Sequence, residues 1–117
     1  MSTIITAEEA RNFISEVAPS LGYDFTYQPA FPRGRQDVCA VIHAAENGND
    51  FGYSLIYLVW KNAAGEIRYE ELDNTRSSKD YINFKAIKAN GNKVTVSYGS
   101  GGSFSGESWE RTKTNKI

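Results

Sequence analysis

Hydrophobic and polar positions alternate with two different periods along this chain, and the change of period divides it into one helix and a series of strands. Ala10, Phe13, Ile14, Val17 and Leu21 recur at the three- and four-residue spacing of a helix face, while Glu8, Glu9, Arg11, Asn12 and Glu16 fall on the opposite side. Thr6-Ala7-Glu8-Glu9 has the form of a capping box, so the helix is expected to start at Ala7 and to cover about 7–18. Pro19 disfavours the helical conformation at the residue before it, and Gly22 would close any remaining turn.

Beyond Gly22 the period falls to two. Tyr23, Phe25 and Tyr27 alternate as a short strand would. Pro29 and Pro32 then interrupt a ladder, so 23–35 is expected to be an aromatic, proline-marked loop behind that strand. In the strand 37–45, Val38, Ala40 and Ile42 share one face and Cys39, Val41 and His43 the other. The turn-forming run Glu46-Asn47-Gly48-Asn49-Asp50 leads to 53–61, apolar on both faces and therefore expected in the middle of a sheet.

Asn62-Ala63-Ala64-Gly65 suits a type I turn. A four-residue loop would set Trp60 against Ile67 and Leu58 against Tyr69; a three-residue loop would set Val59 against Tyr69. The polar run 73–80 separates the returning strand from the next, 81–88. A three-residue Ala89-Asn90-Gly91 loop would group Ile82, Phe84 and Ala86 with Val94, Val96 and Tyr98. Gly99 to Ser103 reads as a flexible turn, and 104–112 as the last strand, with a bulge at Gly106 if Phe104 and Trp109 are both buried. The polar tail 113–117 is expected to fray.

A helix followed by antiparallel strands over about 37–112 defines an α+β domain, a curved antiparallel meander with the amphipathic helix on one face. This order resembles that of cystatin-like folds, in which a sheet wraps one helix. A small β-barrel plugged by the helix is the alternative.

Length and composition narrow the functional classes. The 117 residues, 40% of them hydrophobic, suffice for one core and hence a single domain over 1–117. The net charge of −1 provides no global field for nucleic acid or an anionic membrane, so neither is expected as a partner, though a local basic patch stays open. The longest apolar run, 55–60, is far too short to span a bilayer, and the first residues lack the pattern of a signal peptide. Cys39 is the only cysteine, which excludes an intrachain disulfide and fits a reducing, cytoplasmic location.

Chemistry is sparse. His43 is the only histidine, and Cys39, four residues away on the same strand face, lies about 13 Å from it, too far to share a metal ion. Neither a metal site nor a cofactor is expected. Glu66 and Glu70 fall on one face of their strand and Glu71 and Asp73 on the other. This spacing would permit paired-carboxylate chemistry but equally suits a solvated face balanced by Lys61 and Arg68. The glycines at 99–102 lack the helix and lysine that phosphate-binding loops require.

Tyr27, Phe31, Arg33 and Arg35 stand out as candidate binding residues, because aromatic and arginine side chains anchor interfaces. The structural alternative is that Phe25 and Phe31 fill the space between helix and sheet while the arginines are solvated. The expected function is therefore a small non-catalytic binding module whose partner is another protein, acting as a monomer or a sheet-edge dimer. A small-ligand carrier or small enzyme with a pocket between helix and sheet is the alternative.

Overall fold

The computed structural model describes residues 4–18, 24–46, 52–75, 81–102 and 109–117. Helix α1 (Ala7–Val17) begins as its sequence requires. The Thr6 hydroxyl accepts from the Glu9 amide at 3.0 Å, and the Glu9 carboxylate accepts from the Thr6 amide at 3.1 Å. It ends at Ala18, which is extended (φ −74°, ψ 149°), the conformation imposed on a residue before proline.

Among the described residues seven strands follow: β1 (Asp24–Ala30), β2 (Val38–Glu46), β3 (Gly52–Lys61), β4 (Ile67–Asn74), β5 (Tyr81–Asn90), β6 (Lys93–Gly102) and β7 (Glu110–Lys116). All pairs are antiparallel, and the meander divides after β4 into two sheets, ordered β1-β2-β3-β4 and β5-β6-β7. The fold is α+β, and neither sheet closes into a barrel.

Two cores result, one on each face of the four-stranded sheet. Ile5, Ala10 and Ile14 pack on Cys39, Val41, Leu55, Tyr57 and Val59. Val38, Ala40, Ile42, Ile56 and Leu58 meet Ile82, Ile87, Val94, Val96 and Tyr98 of the second sheet. Alternation in β2 and β3 thus sorts side chains between a helix layer and a sheet layer. Residues 54–59 of β3 are buried throughout, as a strand covered on both faces requires. Ser54 ties the layers together: its hydroxyl accepts from the Ile82 amide at 3.1 Å, and its own amide donates to the Thr75 hydroxyl at 2.8 Å.

Several elements depart from the sequence expectation. Strand β1 continues through Pro29, which pairs with Val41; β1 is an edge strand, where a residue without an N–H is tolerated, so the loop shrinks to 31–37. Of the two β3–β4 registers the sequence allowed, the structure has that of the three-residue loop, with Val59 against Tyr69 and Trp60 against Arg68. Asn62 and Gly65 do form the expected turn, with the Gly65 amide donating to the Asn62 carbonyl at 2.9 Å. Gly65 is left-handed (φ 81°) and adds one residue, so the hairpin closes at the Asn62–Glu66 pair. The Asn62 side chain secures this form by accepting from the Ala64 and Glu66 amides.

The β5–β6 hairpin turns at Gly91 and Asn92, pairing Asn90 with Lys93, Ala89 with Val94 and Ile87 with Val96. A register shift between Phe84 and Ala86 then reverses the strand's parity, so Ile82 and Phe84 face the core together with Ile87 and Ala89. Gly99 to Gly102 extend β6 instead of forming a turn. The tail 113–117 is not frayed: β7 pairs with β6 as far as Lys116, and the Ile117 amide donates to the Asn92 carbonyl at 2.8 Å. Cross-strand hydroxyl pairs, Thr95–Thr114 at 3.1 Å and Ser97–Thr112 at 3.3 Å, supply what the apolar pattern lacks. The expected helix stop at Gly22, the turn at 47–50, most of the 73–80 loop and the bulge at Gly106 lie outside the described residues.

Candidate functional site

Loop 31–37 leaves the β1 edge and crosses in front of the chain entering α1, to which it is joined by the Ile5 amide donating to the Gln36 carbonyl at 2.7 Å. Between the two segments lies an open cleft of about 640 Å³. Ile4, Ile5, Thr6 and Ala7 line one side, and Phe31, Pro32, Gly34, Arg35 and Gln36 the other. The position of Ile4 is fixed from behind: Lys61 of β3 donates to its carbonyl at 2.9 Å and pairs with Glu9 at 3.1 Å. The Lys61 hydrogen bond, with the Thr6 amide, holds the Glu9 carboxyl below its ordinary pKa.

The four candidate residues have different roles. Phe31 is partly buried against the helix-side core while also forming a cleft wall. Arg33 is exposed at the loop tip. Arg35 is a clasp: Nε and Nη2 donate to the two Asp37 oxygens at 2.7 and 2.8 Å, and Nη1 donates to the Gly91 carbonyl at 2.9 Å. This forked pair lowers the Asp37 pKa, chiefly through the Arg35 hydrogen bonds, and fixes the loop to the β5–β6 turn. Arg35 also lines a second, smaller cleft of about 260 Å³ with Trp60, Asn62, Asn92 and Ile117. Tyr27 lies away from both clefts; it faces His43 across the β1–β2 ladder, their rings stacked 4.5 Å apart. The structure thus brings Phe31 and Arg35 together at one site, leaves Arg33 beside it and assigns Tyr27 to the helix-side core.

The remaining chemical candidates are built into the fold. His43 is 1% exposed, and burial lowers its pKa, favouring the neutral ring. Its contribution to stability is present above the ordinary value of 6.5 and is lost as pH falls from there toward the lower folded value. Urea unfolding is therefore expected to show lower stability at about pH 5.5 than at about pH 7.5, and His43→Gln should abolish that difference. Cys39 is fully buried, and burial pushes its thiol up to about 12, which leaves it unreactive at neutral pH.

The acidic group is dispersed. A register shift beside Tyr57 places Glu71 opposite Tyr57 and Asp73 opposite Ile56, so these two carboxylates end on opposite faces and not on one. Lys61 is turned toward Glu9, and Arg68 approaches Glu66 at 3.7 Å. Glu70 accepts from the Asn115 side chain, and Asp73 accepts at 2.7 Å from both the Tyr98 hydroxyl and Arg111. Burial raises the Asp73 carboxyl, but Arg111, Tyr98 and the Asn74 amide outweigh it and leave the pKa lowered. Arg111 also lies 4.6 Å above the Trp109 ring, which meets Tyr98 edge-on.

Sequence reasoning missed the Asp73–Tyr98–Arg111 cluster, whose members lie on three strands, and the cleft residues Ile4 and Gln36. The Arg35–Asp37 fork was within reach, since the two residues are separated by one position. Among the described residues no three His, Cys, Asp or Glu side chains converge as metal ligands, and no helix is long and apolar enough to cross a membrane. No protein-family model, curated protein or solved structure matches this chain.

Proposed function

We propose that this protein is a non-catalytic binding module whose partner, another protein, inserts a short segment into the cleft between the chain entering α1 and loop 31–36. The observation that carries this reading is the chemistry of the lining. Ile4, Phe31 and Pro32 provide apolar walls, and Arg35, the one charged residue among the described lining, has its guanidinium engaged by Asp37 and Gly91. Such a surface can hold an apolar or aromatic side chain; its described lining brings no carboxylate, imidazole or thiol, and its one hydroxyl, that of Thr6, is engaged in the helix cap. The volume, about 640 Å³, also falls in the range of small-ligand sites, which favours an apolar small molecule as the second reading.

Peptides selected from a random library against the protein provide the test. Ile4→Asp places a charge on a half-exposed wall, and Gln36→Trp fills the cleft from an exposed position, so neither disturbs the core. Each is expected to weaken the selected peptides at least about tenfold, or about 1.4 kcal/mol, with unchanged thermal unfolding. Arg68→Ala, on the β4 edge, should have no effect. Peptides indifferent to both cleft variants would overturn the proposal; a small apolar ligand sensitive to them would favour the second reading.

A further inference from the structure

The net charge of −1 averages two opposite halves. Residues 1–75 carry five Lys or Arg against eleven Asp or Glu, a net of −6, and residues 76–117 carry eight against three, a net of +5. The division follows the layers: α1 and β1–β4 belong to the acidic half and β5–β7 to the basic one. Among the described residues of β5–β7, Glu110 is the only acid, and Lys85 pairs with it.

Alternation separates the two faces of the second sheet. Val94, Val96 and Tyr98 are buried against the first sheet, so Lys93, Thr95 and Ser97 point outward. The hydroxyl pairs to Thr112 and Thr114 place those residues, and with them Lys116, on the same outer face. The register then gives two rows across the three strands: Lys88, Thr95 and Thr114 in one, and Asn90, Lys93 and Lys116 in the next. Lys93 directly opposes Lys116, an arrangement that disfavours folding. All three lysines are exposed and form no ion pair among the described residues.

We propose that this outer face docks the phosphodiester backbone of a double-stranded nucleic acid. Rows two residues apart lie about 7 Å from each other, close to the rise of about two nucleotides along one strand of a duplex. Lysine ammoniums and the interleaved threonine and asparagine side chains are the groups that bind phosphate oxygens without reading sequence. The two rows include no aromatic side chain on which the bases of a single strand would stack. Among the described residues the exposed large apolar ones, Ile4, Val17 and Tyr69, all lie on the helix layer and the first sheet, so the lysine rows offer no apolar side chain to a bilayer. The acids of the first sheet that reach the second, Glu70 and Asp73, do so at Asn115, Tyr98 and Arg111, which by the register lie on its inner side, away from the lysine rows.

Fluorescence anisotropy tests the proposal, with a labelled mixed-sequence DNA duplex of about 25 base pairs titrated between about 50 and about 200 mM NaCl. Three phosphate contacts predict binding that weakens with a log–log salt slope of about −3. The triple variant Lys88→Gln, Lys93→Gln, Lys116→Gln should bind at least about tenfold more weakly with a slope near zero, and unfold at the same temperature. Ile4→Asp, at the cleft, should bind duplex as the parent does. No duplex binding at the lowest salt, or a triple variant that binds undiminished, would overturn the proposal. So would preference for the single strand or for phosphatidylserine vesicles, or salt-sensitive self-association through this face.

Discussion

Leu58→Ala is expected to lower the folding free energy by about 3–4 kcal/mol. Leu58 is fully buried on the central strand β3, paired with Ala40 of β2 on one side and Glu70 of β4 on the other. Its side chain projects into the core shared with Val94, Val96 and Tyr98. Both ladders hold the backbone in place, so the space left by the missing methyls cannot close, and the cavity adds to the lost transfer free energy. Urea unfolding checks the magnitude. Val17→Ala, at a helix position 36% exposed, should change stability by less than about 0.5 kcal/mol in the same assay.

The second large effect belongs to the polar cluster between the sheets. Asp73→Ala should cost about 2–3 kcal/mol, because it leaves the hydroxyl of the fully buried Tyr98 without its acceptor and removes the partner of the half-exposed Arg111. Tyr98→Phe should cost only about 1 kcal/mol, since Asp73 keeps Arg111. The double variant should therefore be less destabilised than the sum of the two, and urea unfolding of the four proteins measures the coupling. The same cluster sets an acid limit. The Asp73 carboxyl titrates below its ordinary value of 3.8 in the folded protein, so its contribution is present above that pH and disappears as pH falls through the folded value. Asp73→Asn should flatten stability against pH in that acidic range.

What could be read from the sequence was whatever depends on neighbouring residues. Thr6 and Glu9 cap the helix from three positions apart, and alternation alone divides Val38, Ala40 and Ile42 from Cys39, Val41 and His43. Registers were harder, because a single left-handed or bulged residue shifts every later pair. Gly65 adds one residue to the β3–β4 turn, and the irregularity beside Lys85 reverses the parity of β5. That second shift did leave a trace: Ile82 and Phe84 are even-numbered, Ile87 and Ala89 odd, and only a bulge lets all four face one core. Strand β7 left none, since its core-facing and solvent-facing positions are both polar and its order comes from the ladder to β6.

The site was partly legible for the same reason. Phe31 and Arg35 attracted attention as an aromatic and an arginine in one loop, and both line the cleft. Ile4 belongs to the opposite wall because the Ile5–Gln36 and Lys61–Ile4 hydrogen bonds bring the chain entering α1 against that loop. No local pattern encodes those contacts, which join residues 31 and 57 positions apart. Tyr27 shows the converse: an aromatic residue beside the loop in sequence is drawn into the ladder by pairing with His43.

Residue-resolved amide NMR, following the protein as a selected peptide is added, tests most directly whether the cleft is where this module binds. The expected result is a contiguous set of shifted amides at Ile5, Thr6, Ala7, Gly34 and Gln36, with the β4 edge from Arg68 to Glu71 unmoved. Shifts confined to that edge, or spread over strands remote from α1 with the cleft amides unchanged, would contradict it.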